Sequence, residues 1–327
     1  MRILVTGGHG FVGSHLVRRL LAGGDVVRCV VRGGRLPESL SGLGVEIVPG
    51  DLTRAETLAP ALRGVEEVYH LGALLSSLTE REMFRTNALG TRHLVEAALA
   101  AGTVQRFVHC SSIAVVGPSP DGRPLAEDAP SRPVTWYGRS KALAERIVAA
   151  FGERGLPWTI VRPPVVYGPR DRGLLSVFQG VGWGLHVFPG AQPKRYSWVF
   201  AEDLAEALVV LGRHPATRHR TYFACHEEVA DLSTVLSLAA TSAGRRGIAV
   251  NVPDSLLRLV AGAADVVAQA TGRPGMLTRD KVHEIVPRAW VCTPEAARRD
   301  AGWRAATPLA RGIPETMRWY REHGWVR

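Results

Sequence analysis

Cysteine is scarce in this chain of 327 residues: there are four, at positions 29, 110, 225 and 292. None forms a CxxC pair or a cluster with ligand spacing, so neither a disulfide scaffold nor a metal site is expected. Cys29 and Cys110 sit inside apolar runs and read as buried thiols. Long apolar runs are missing too. No eighteen residues in a row are free of charge or breakers, so no integral membrane association is expected. The opening MRILVTGG enters a strand at once, with no basic leader or cleavage site before it, and the expected location is the cytoplasm. Acidic residues are outnumbered, 30 against 40 Lys and Arg, for a formal net charge of +10. A basic surface attracts nucleic acid or an anionic membrane, and equally suits a substrate with phosphate or carboxylate groups. The arginines are scattered, with no tail or dense basic run, so no nucleic-acid partner is expected.

Short apolar runs alternate with helical patterns through residue 162. Strands are expected at 2–6, 26–31, 45–48, 67–70, 106–110 and 158–162. Helices are expected over 11–21, 54–62, 80–101 and 137–151. This rhythm predicts an α/β fold, a Rossmann-type doubly wound parallel sheet covered on both faces. After Pro163-Pro164 the rhythm changes. Helices are expected over 202–211, 232–243, 255–271 and 294–301, with short strands at 221–224 and 291–292. Residues 1–165 are thus expected to form the dinucleotide domain. Residues 166–327 are expected to form a smaller α/β substrate-binding region, with 196–224 returning to the sheet. A ligand crevice belongs at the carboxyl ends of the strands.

The run TGGHGFVG over 6–13 places Gly7, Gly10 and Gly13 in GxxGxxG spacing between a predicted strand and helix. Gly7 makes the tight turn, Gly10 lets the backbone approach a pyrophosphate, and Gly13 lets helix and strand pack closely. Phe11, Val12 and Gly13 open the helix whose free N–H groups receive the phosphate. A carboxylate is missing where an NAD site usually ends its second strand: Val31 is followed by Arg32, then Arg35. Two guanidinium groups there suit a 2′-phosphate, so NADP(H) is favoured, with NAD(H) as the alternative. The bland reading is that both arginines are surface charge. Asp51, next to Leu52, either meets the adenine amine or caps a helix starting at 53–54. Leu71, Gly72 and Ala73 follow the fourth strand and let the cofactor pass close to the backbone.

YGRSK over 137–141 is a Y-x-x-x-K pair, one helical turn apart on one face. Ser112 ends the fifth strand, so the three side chains can meet at the carboxyl edge of the sheet. Hydride chemistry at a carbonyl needs a proton donor for the forming alkoxide, and a base in reverse. A phenol with an ordinary pKa near 10 is a poor base at neutral pH, and a neighbouring ammonium lowers it. Lys141 is also placed to hold the nicotinamide ribose, and Ser112 the substrate oxygen. No metal is required.

These runs, with GDL at 50–52, NALGT at 87–91, SSIAVVG at 111–117, RPPVVYGP at 162–169 and AEDLA at 201–205, resemble the extended short-chain dehydrogenase/reductase superfamily. The resemblance spans nearly the whole chain, through WVCTPEAARRDAGW at 290–303 and Trp319-Tyr320. It implies Tyr137 as acid/base, Lys141 as its activator and Ser112 as substrate hydrogen-bonder, with Ser111 the adjacent, non-catalytic serine. It implies Asn87 as a builder of the cofactor pocket, Pro163 and Val165 as nicotinamide lining, and a homodimer through the two long helices. Ile113-Ala114 after Ser112 lacks the acidic pair of the dehydratases, and the overall pattern looks most like the 3β-hydroxysteroid dehydrogenase and dihydroflavonol reductase branch. A dehydrogenase or reductase acting on a small-molecule ketone or secondary alcohol is the first expectation. The alternatives are a sugar-nucleotide epimerase that keeps its NAD, and a dinucleotide-sensing protein without turnover.

For the substrate side, Arg170, His186, Lys194 and Arg195 are candidate anion contacts. Trp183, Phe188, Tyr196 and Trp198 are candidates for an apolar pocket or for the small domain's core. The helix at 255–271 carries six large apolar residues and must bury a face, against the core, as a lid, or against another surface.

Overall fold

The computed structural model describes residues 1–190, 192–275 and 277–326. The first half contains β1 (Arg2–Thr6), α1 (Phe11–Ala22), β2 (Val26–Val31), β3 (Glu46–Pro49), β4 (Glu67–His70), α2 (Glu80–Phe84), α3 (Gly90–Ala101), β5 (Arg106–Cys110), α4 (Trp136–Gly152) and β6 (Trp158–Arg162). Then come β7 (Val165–Tyr167), α5 (Leu175–Gly182), β8 (Leu185–Pro189), β9 (Arg195–Phe200), α6 (Ala201–Arg213), β10 (Arg220–Phe223), β11 (Val229–Asp231) and α7 (Leu232–Ala243). The chain closes with β12 (Ile248–Val252), α8 (Asp254–Thr271), α9 (Arg279–Ile285), β13 (Ala289–Trp290), α10 (Glu295–Ala301) and α11 (Leu309–Glu322).

Seven strands form a wholly parallel sheet in the order β10-β6-β5-β4-β1-β2-β3. Strands buried on both faces read as continuous apolar runs, which is why β1, β2 and β5 were visible in the sequence. Leu16, Val17 and Leu20 of α1 and Leu204, Leu208 and Leu211 of α6 pack on one face. Leu94, Val95 and Ala98 of α3 and Val148 and Phe151 of α4 cover the other. Strand order reverses between β1 and β4, so a crevice opens there at the carboxyl edge. The glycine turn after β1 and the loop after β4 line it.

The chain returns to this sheet through α6 and β10. β9, which begins the expected returning segment, instead pairs with β7, β11 and β13 in a separate sheet. The expected helix over 54–62 is two short 3-10 turns, at Ala55–Thr57 and Pro60–Leu62. The expected strand at 291–292 lies two residues earlier, at β13. Phe188 and Trp198 are core residues of the smaller region, packed with Phe178, Leu236, Met317 and Tyr320, and Tyr196 lies against them. Trp183 is outside that core.

Candidate active site

The glycine turn is built as its spacing suggests. Gly7 has φ of 70°, and a Cβ on it would lie 2.8 Å from Gly72 N. A Cβ on Gly13 would lie 2.1 Å from the Gly7 carbonyl oxygen, so only glycine lets α1 seat against the turn. Gly10 is exposed and caps α1 without a side-chain bond, and no acidic residue stands in the first turn. The N–H groups of Phe11, Val12 and Gly13 therefore remain open to an anion. Among the described residues Ser111 Oγ is buried without a partner, an orphan that a bound group would satisfy. The donor set and the cradle fit a dinucleotide.

The loop after β4 is fixed from both sides. Gly72 N donates to Thr6 Oγ1 at 3.1 Å, and Leu71 N donates to the Thr6 carbonyl at 3.1 Å. Leu74 exchanges two bonds with Asn87: its N–H donates to Oδ1 at 2.7 Å and its carbonyl accepts from Nδ2 at 2.9 Å. Asn87 also donates to Ser140 Oγ at 3.0 Å, tying this loop to α4. Asn87 sits in a π-helical turn, Arg85–Leu89, between α2 and α3. Such turns aim side chains that a regular helix would misplace. Ala73 lies half-buried in the same loop.

Lys141 is 3% exposed. Its Nζ donates to the Cys110 carbonyl at 2.6 Å and meets His109 Nε2 at 3.3 Å. Burial holds the ammonium down at about 8, with Cys110 and Glu145 opposing. His70, across the sheet from His109, bonds Thr6 Oγ1 at 2.7 Å and Thr91 Oγ1 at 2.8 Å. Burial first, then Lys141, pushes His70 down to about 3 and His109 well below its ordinary value. Both rings are neutral, so Lys141 carries the charge of this layer.

Tyr137 lies in the first turn of α4, whose cap Thr135 accepts from Gly138 N at 3.1 Å. Burial raises the phenol pKa, the charges of Cys110 and Glu284 add to this, and a hydrogen bond with Ser112 opposes it. The expected lowering by Lys141 is not what governs the phenol here, because the ammonium is turned to the Cys110 carbonyl. Ser112 Oγ also accepts from Ala114 N at 3.1 Å, so it caps a turn as well. Ile113 N donates to the Pro163 carbonyl at 3.0 Å, which brings Pro163 beside this turn, with Val165 half-exposed two residues on.

Asp51 accepts from Thr53 N and Thr53 Oγ1, both at 2.8 Å, a local turn rather than a helix cap, because no helix starts at 53–54 and the short turn at Ala55–Thr57 follows Arg54 with no side-chain cap. Burial opposes, but these bonds and the charges of Arg32 and Arg54 hold its carboxyl below the ordinary value. Leu52 reaches the Gly72 backbone. Arg32 and Arg35 are both exposed.

Several substrate-side candidates fall elsewhere. Lys194 is fully buried, and its Nζ donates to the Ile285 carbonyl and, at 3.3 Å, to that of Val286 at the end of α9. Arg170 Nε donates to Ser14 Oγ at 2.9 Å, beside the glycine turn. Arg195 is exposed and bonds the Gly122 carbonyl at 3.3 Å, and His186 lies on β8. The small cavity next to Tyr137 is lined instead by Leu75, Met83, Trp136, Asp280, Lys281 and Glu284. Asp280 accepts from Trp136 N at 3.0 Å, and Glu284 accepts from Thr135 Oγ1 at 2.9 Å. α9 thus clamps the N-terminus of α4, where carboxylates are favoured. The sequence reading missed it, although Thr278 before Arg279-Asp280 is a serviceable N-cap signal: its side chain accepts from Lys281 N at 3.0 Å.

Residues 3–225 match the family described as the NAD dependent epimerase/dehydratase family. The chain is 29% identical over 324 residues to the ceramide reductase of Caulobacter vibrioides, covering 99% of this chain and 96% of that protein. It is 30% identical over 277 residues to the 4-hydroxy-2-methyl-3-oxo-4-farnesyl-3,4-dihydroquinoline-1-oxide ketoreductase of Stigmatella aurantiaca, covering 80% and 79%. It is also similar to the crystal structure of the Thermus thermophilus UDP-glucose 4-epimerase in complex with NAD, with a TM-score of 0.79 and 26% identity over 98% of this chain and 99% of that one.

The preference for NADP(H) is corrected by these findings. The Thermus epimerase holds NAD, as do further solved structures at 25% and 26% identity. Arg32 and Arg35 are both exposed, as plain surface charge would be, so their position does not by itself select a 2′-phosphate.

Proposed function

The chain belongs to the NAD dependent epimerase/dehydratase family, and from that premise we propose that it transfers hydride between NAD(H) and a secondary alcohol or its ketone. The observation that carries this reading is the placing of Ser112 just after β5 and of Tyr137 and Lys141 one turn apart on α4, with Tyr137 hydrogen-bonded to Ser112 and Lys141 to the Cys110 carbonyl, at the carboxyl edge of the sheet. A bound dinucleotide supplies the hydride donor or acceptor, and the chain's residues do the rest. The N–H groups of Phe11, Val12 and Gly13 take the pyrophosphate charge. Asn87 keeps the 71–74 loop against the cofactor's path. Ser112 holds the substrate oxygen, and Tyr137 moves the hydroxyl proton. Burial, then Cys110 and Glu284, keep the phenol protonated, the form that can give its proton to the alkoxide formed in ketone reduction. The apolar liners Leu75, Met83 and Trp136, and the similarity to a ceramide reductase and a farnesyl-quinoline ketoreductase, support a substrate with an apolar body.

A second reading is an epimerase that returns the hydride to the opposite face and keeps its NAD. The similarity to a UDP-glucose 4-epimerase in complex with NAD favours it, and the NAD itself supports this cycle more directly than a net reduction. One experiment separates the two. The purified protein is given NADH with a panel of apolar ketones, and separately UDP-sugars with no added cofactor. Net NADH consumption supports the first reading. Sugar conversion with NAD released only on denaturation supports the second. Tyr137→Phe is expected to lose about 10²–10⁴-fold in either case. Unchanged turnover in that variant refutes both.

A further inference from the structure

The apolar residues of α8 face the wrong way for a core helix. Leu256, Leu259, Val260, Ala263, Val266 and Val267 recur at helical spacing on one face. That face is open: Leu259 is 70% exposed and Val266 65%. The opposite face, with Leu257, Ala261 and Ala268, is buried. Along its open side α8 shares with α9 an apolar groove of about 800 Å³, whose walls include Leu259, Ala263, Val266 and Val282.

A second apolar face adjoins it in the chain. β8 and β12 form a two-stranded parallel ribbon in which Leu185 pairs with Ile248 and Val187 with Val250. Alternate residues share a face of a strand, so these four make one row. All four are exposed, Ile248 at 71%, and Trp183 just before β8 is 68% exposed. Scattered exposed apolar residues are ordinary, but two ordered faces joined through Pro253 are not.

The charge on this frontage has one sign. Arg245, Arg246, Arg258 and Arg273 are exposed, and among the described residues none has a carboxylate within ion-pair distance. Of the two acids on α8, Asp265 lies 3.8 Å from Arg279, and Asp254 is half-buried, its Oδ1 enclosed without a hydrogen-bond partner. A twofold contact of this face with a second copy would bring two arginine-rich rims of like charge together. No helix among the described residues is long and apolar enough to cross a membrane. An apolar face rimmed by unmatched arginines instead suits a surface that is apolar within and anionic at its boundary.

We propose that α8 and the β8–β12 ribbon dock this protein onto an anionic phospholipid bilayer. The placement has a consequence for the site. α9 turns Val282 toward the groove and Asp280 and Glu284 toward the Tyr137 cavity. Gln269 of α8 donates to the Leu78 carbonyl at 3.1 Å, in the loop that carries the exposed Leu75 of that cavity. The mouth of the cavity therefore opens beside the docking face. Membrane binding is read without turnover, so it stands or falls apart from the reaction assigned above.

The test is flotation of the full chain with vesicles of phosphatidylcholine mixed with phosphatidylglycerol, and with phosphatidylcholine alone, at low and high salt. Binding to the mixed vesicles that weakens as salt rises is expected. Arg245→Ala with Arg246→Ala should lower the partition coefficient by about five-fold per arginine, the equivalent of roughly 1 kcal/mol each. Leu259→Glu with Val266→Glu should lower it by about ten-fold or more, with an unchanged circular-dichroism spectrum because both sites are exposed. Absence of binding to both vesicles overturns the proposal, as does equal binding by the variants. So does a dimer in analytical ultracentrifugation that Leu259→Glu dissolves while vesicles capture nothing, since the occupant is then a second copy.

Discussion

Replacing Lys141 with Met tests the electrostatics of the site without needing a substrate. Met keeps the length of the side chain and removes its charge. In the folded protein the ammonium is held at about 8 rather than 10.5, chiefly by burial. That difference is a penalty of roughly 3 kcal/mol on the charged form. The unfolded chain keeps the Lys141 proton up to its ordinary pKa, whereas the folded chain releases it near 8. Between those values the unfolded state binds more protons, so stability rises with pH there. The gain is complete above the unfolded value and is lost as pH falls through the folded one. From about pH 7 to about pH 9.5 it amounts to roughly 2 kcal/mol.

Urea unfolding of the wild type and of Lys141→Met at both pH values gives the difference of interest. The groups facing Lys141 are Cys110 and His109 from β5, His70 from β4 and Glu145 from α4. They are present in both proteins and largely cancel in the comparison. The wild type is expected to gain about 2 kcal/mol on the variant across the window. A gap that stays constant within about 0.5 kcal/mol would show an ordinary, solvated lysine and would remove the physical basis of the buried layer.

Three further outcomes are expected. Arg162 holds Glu145 by two bonds, at 2.6 and 2.8 Å, with both side chains about nine-tenths buried; Glu145→Gln should cost about 3–5 kcal/mol in urea unfolding, and adding Arg162→Met should recover part of it. Gly13→Ala should lower stability by about 1–3 kcal/mol and weaken NAD binding in calorimetry, because its Cβ meets the Gly7 carbonyl. Asn87→Ala should weaken NAD binding more than it lowers the melting temperature, because it frees both Leu74 backbone groups near the cofactor's path.

What the sequence carried and what it hid divide along contact distance. The glycine turn, the six strands that open the sheet and the Tyr137–Lys141 spacing are local, and each was legible. Parallel strands announce themselves as apolar runs, and a helical turn fixes which side chains share a face. The second wall of the Tyr137 cavity is not local. Glu284 bonds Thr135 across 149 residues, and no spacing encodes that. Lys194 looked like an anion contact because it lies in the stretch expected over the crevice. The structure buries it against the last carbonyls of α9, where a cation is favoured. Arg32 misled for a different reason: the missing carboxylate after β2 is real, but an exposed arginine there reads the same in sequence whether it is surface charge or an anion contact.

Some departures from comfortable packing lie where the reaction is proposed. Of the seven buried side-chain polar atoms without partners among the described residues, two, His109 Nδ1 and Ser111 Oγ, lie on the strand end that also carries the Lys141 acceptor. The ammonium there is charged against its burial, and the Tyr137 phenol is held protonated. The π-helical turn that aims Asn87 lies on the same edge. An apolar layer between β4, β5 and α4 would avoid the cost of the buried ammonium and the unpartnered polar atoms. Along these strands the apolar residues Val68 and Phe107 pack in the core, and the costs fall at the carboxyl edge, where a charged, hydrogen-bonding guest would meet them. The guest's own polar groups are then needed to complete Ser111 and to give Lys141 a partner better than a backbone carbonyl. On that logic NAD should stabilise this protein by more than its pyrophosphate contacts alone would give, and Lys141→Met should remove part of that excess.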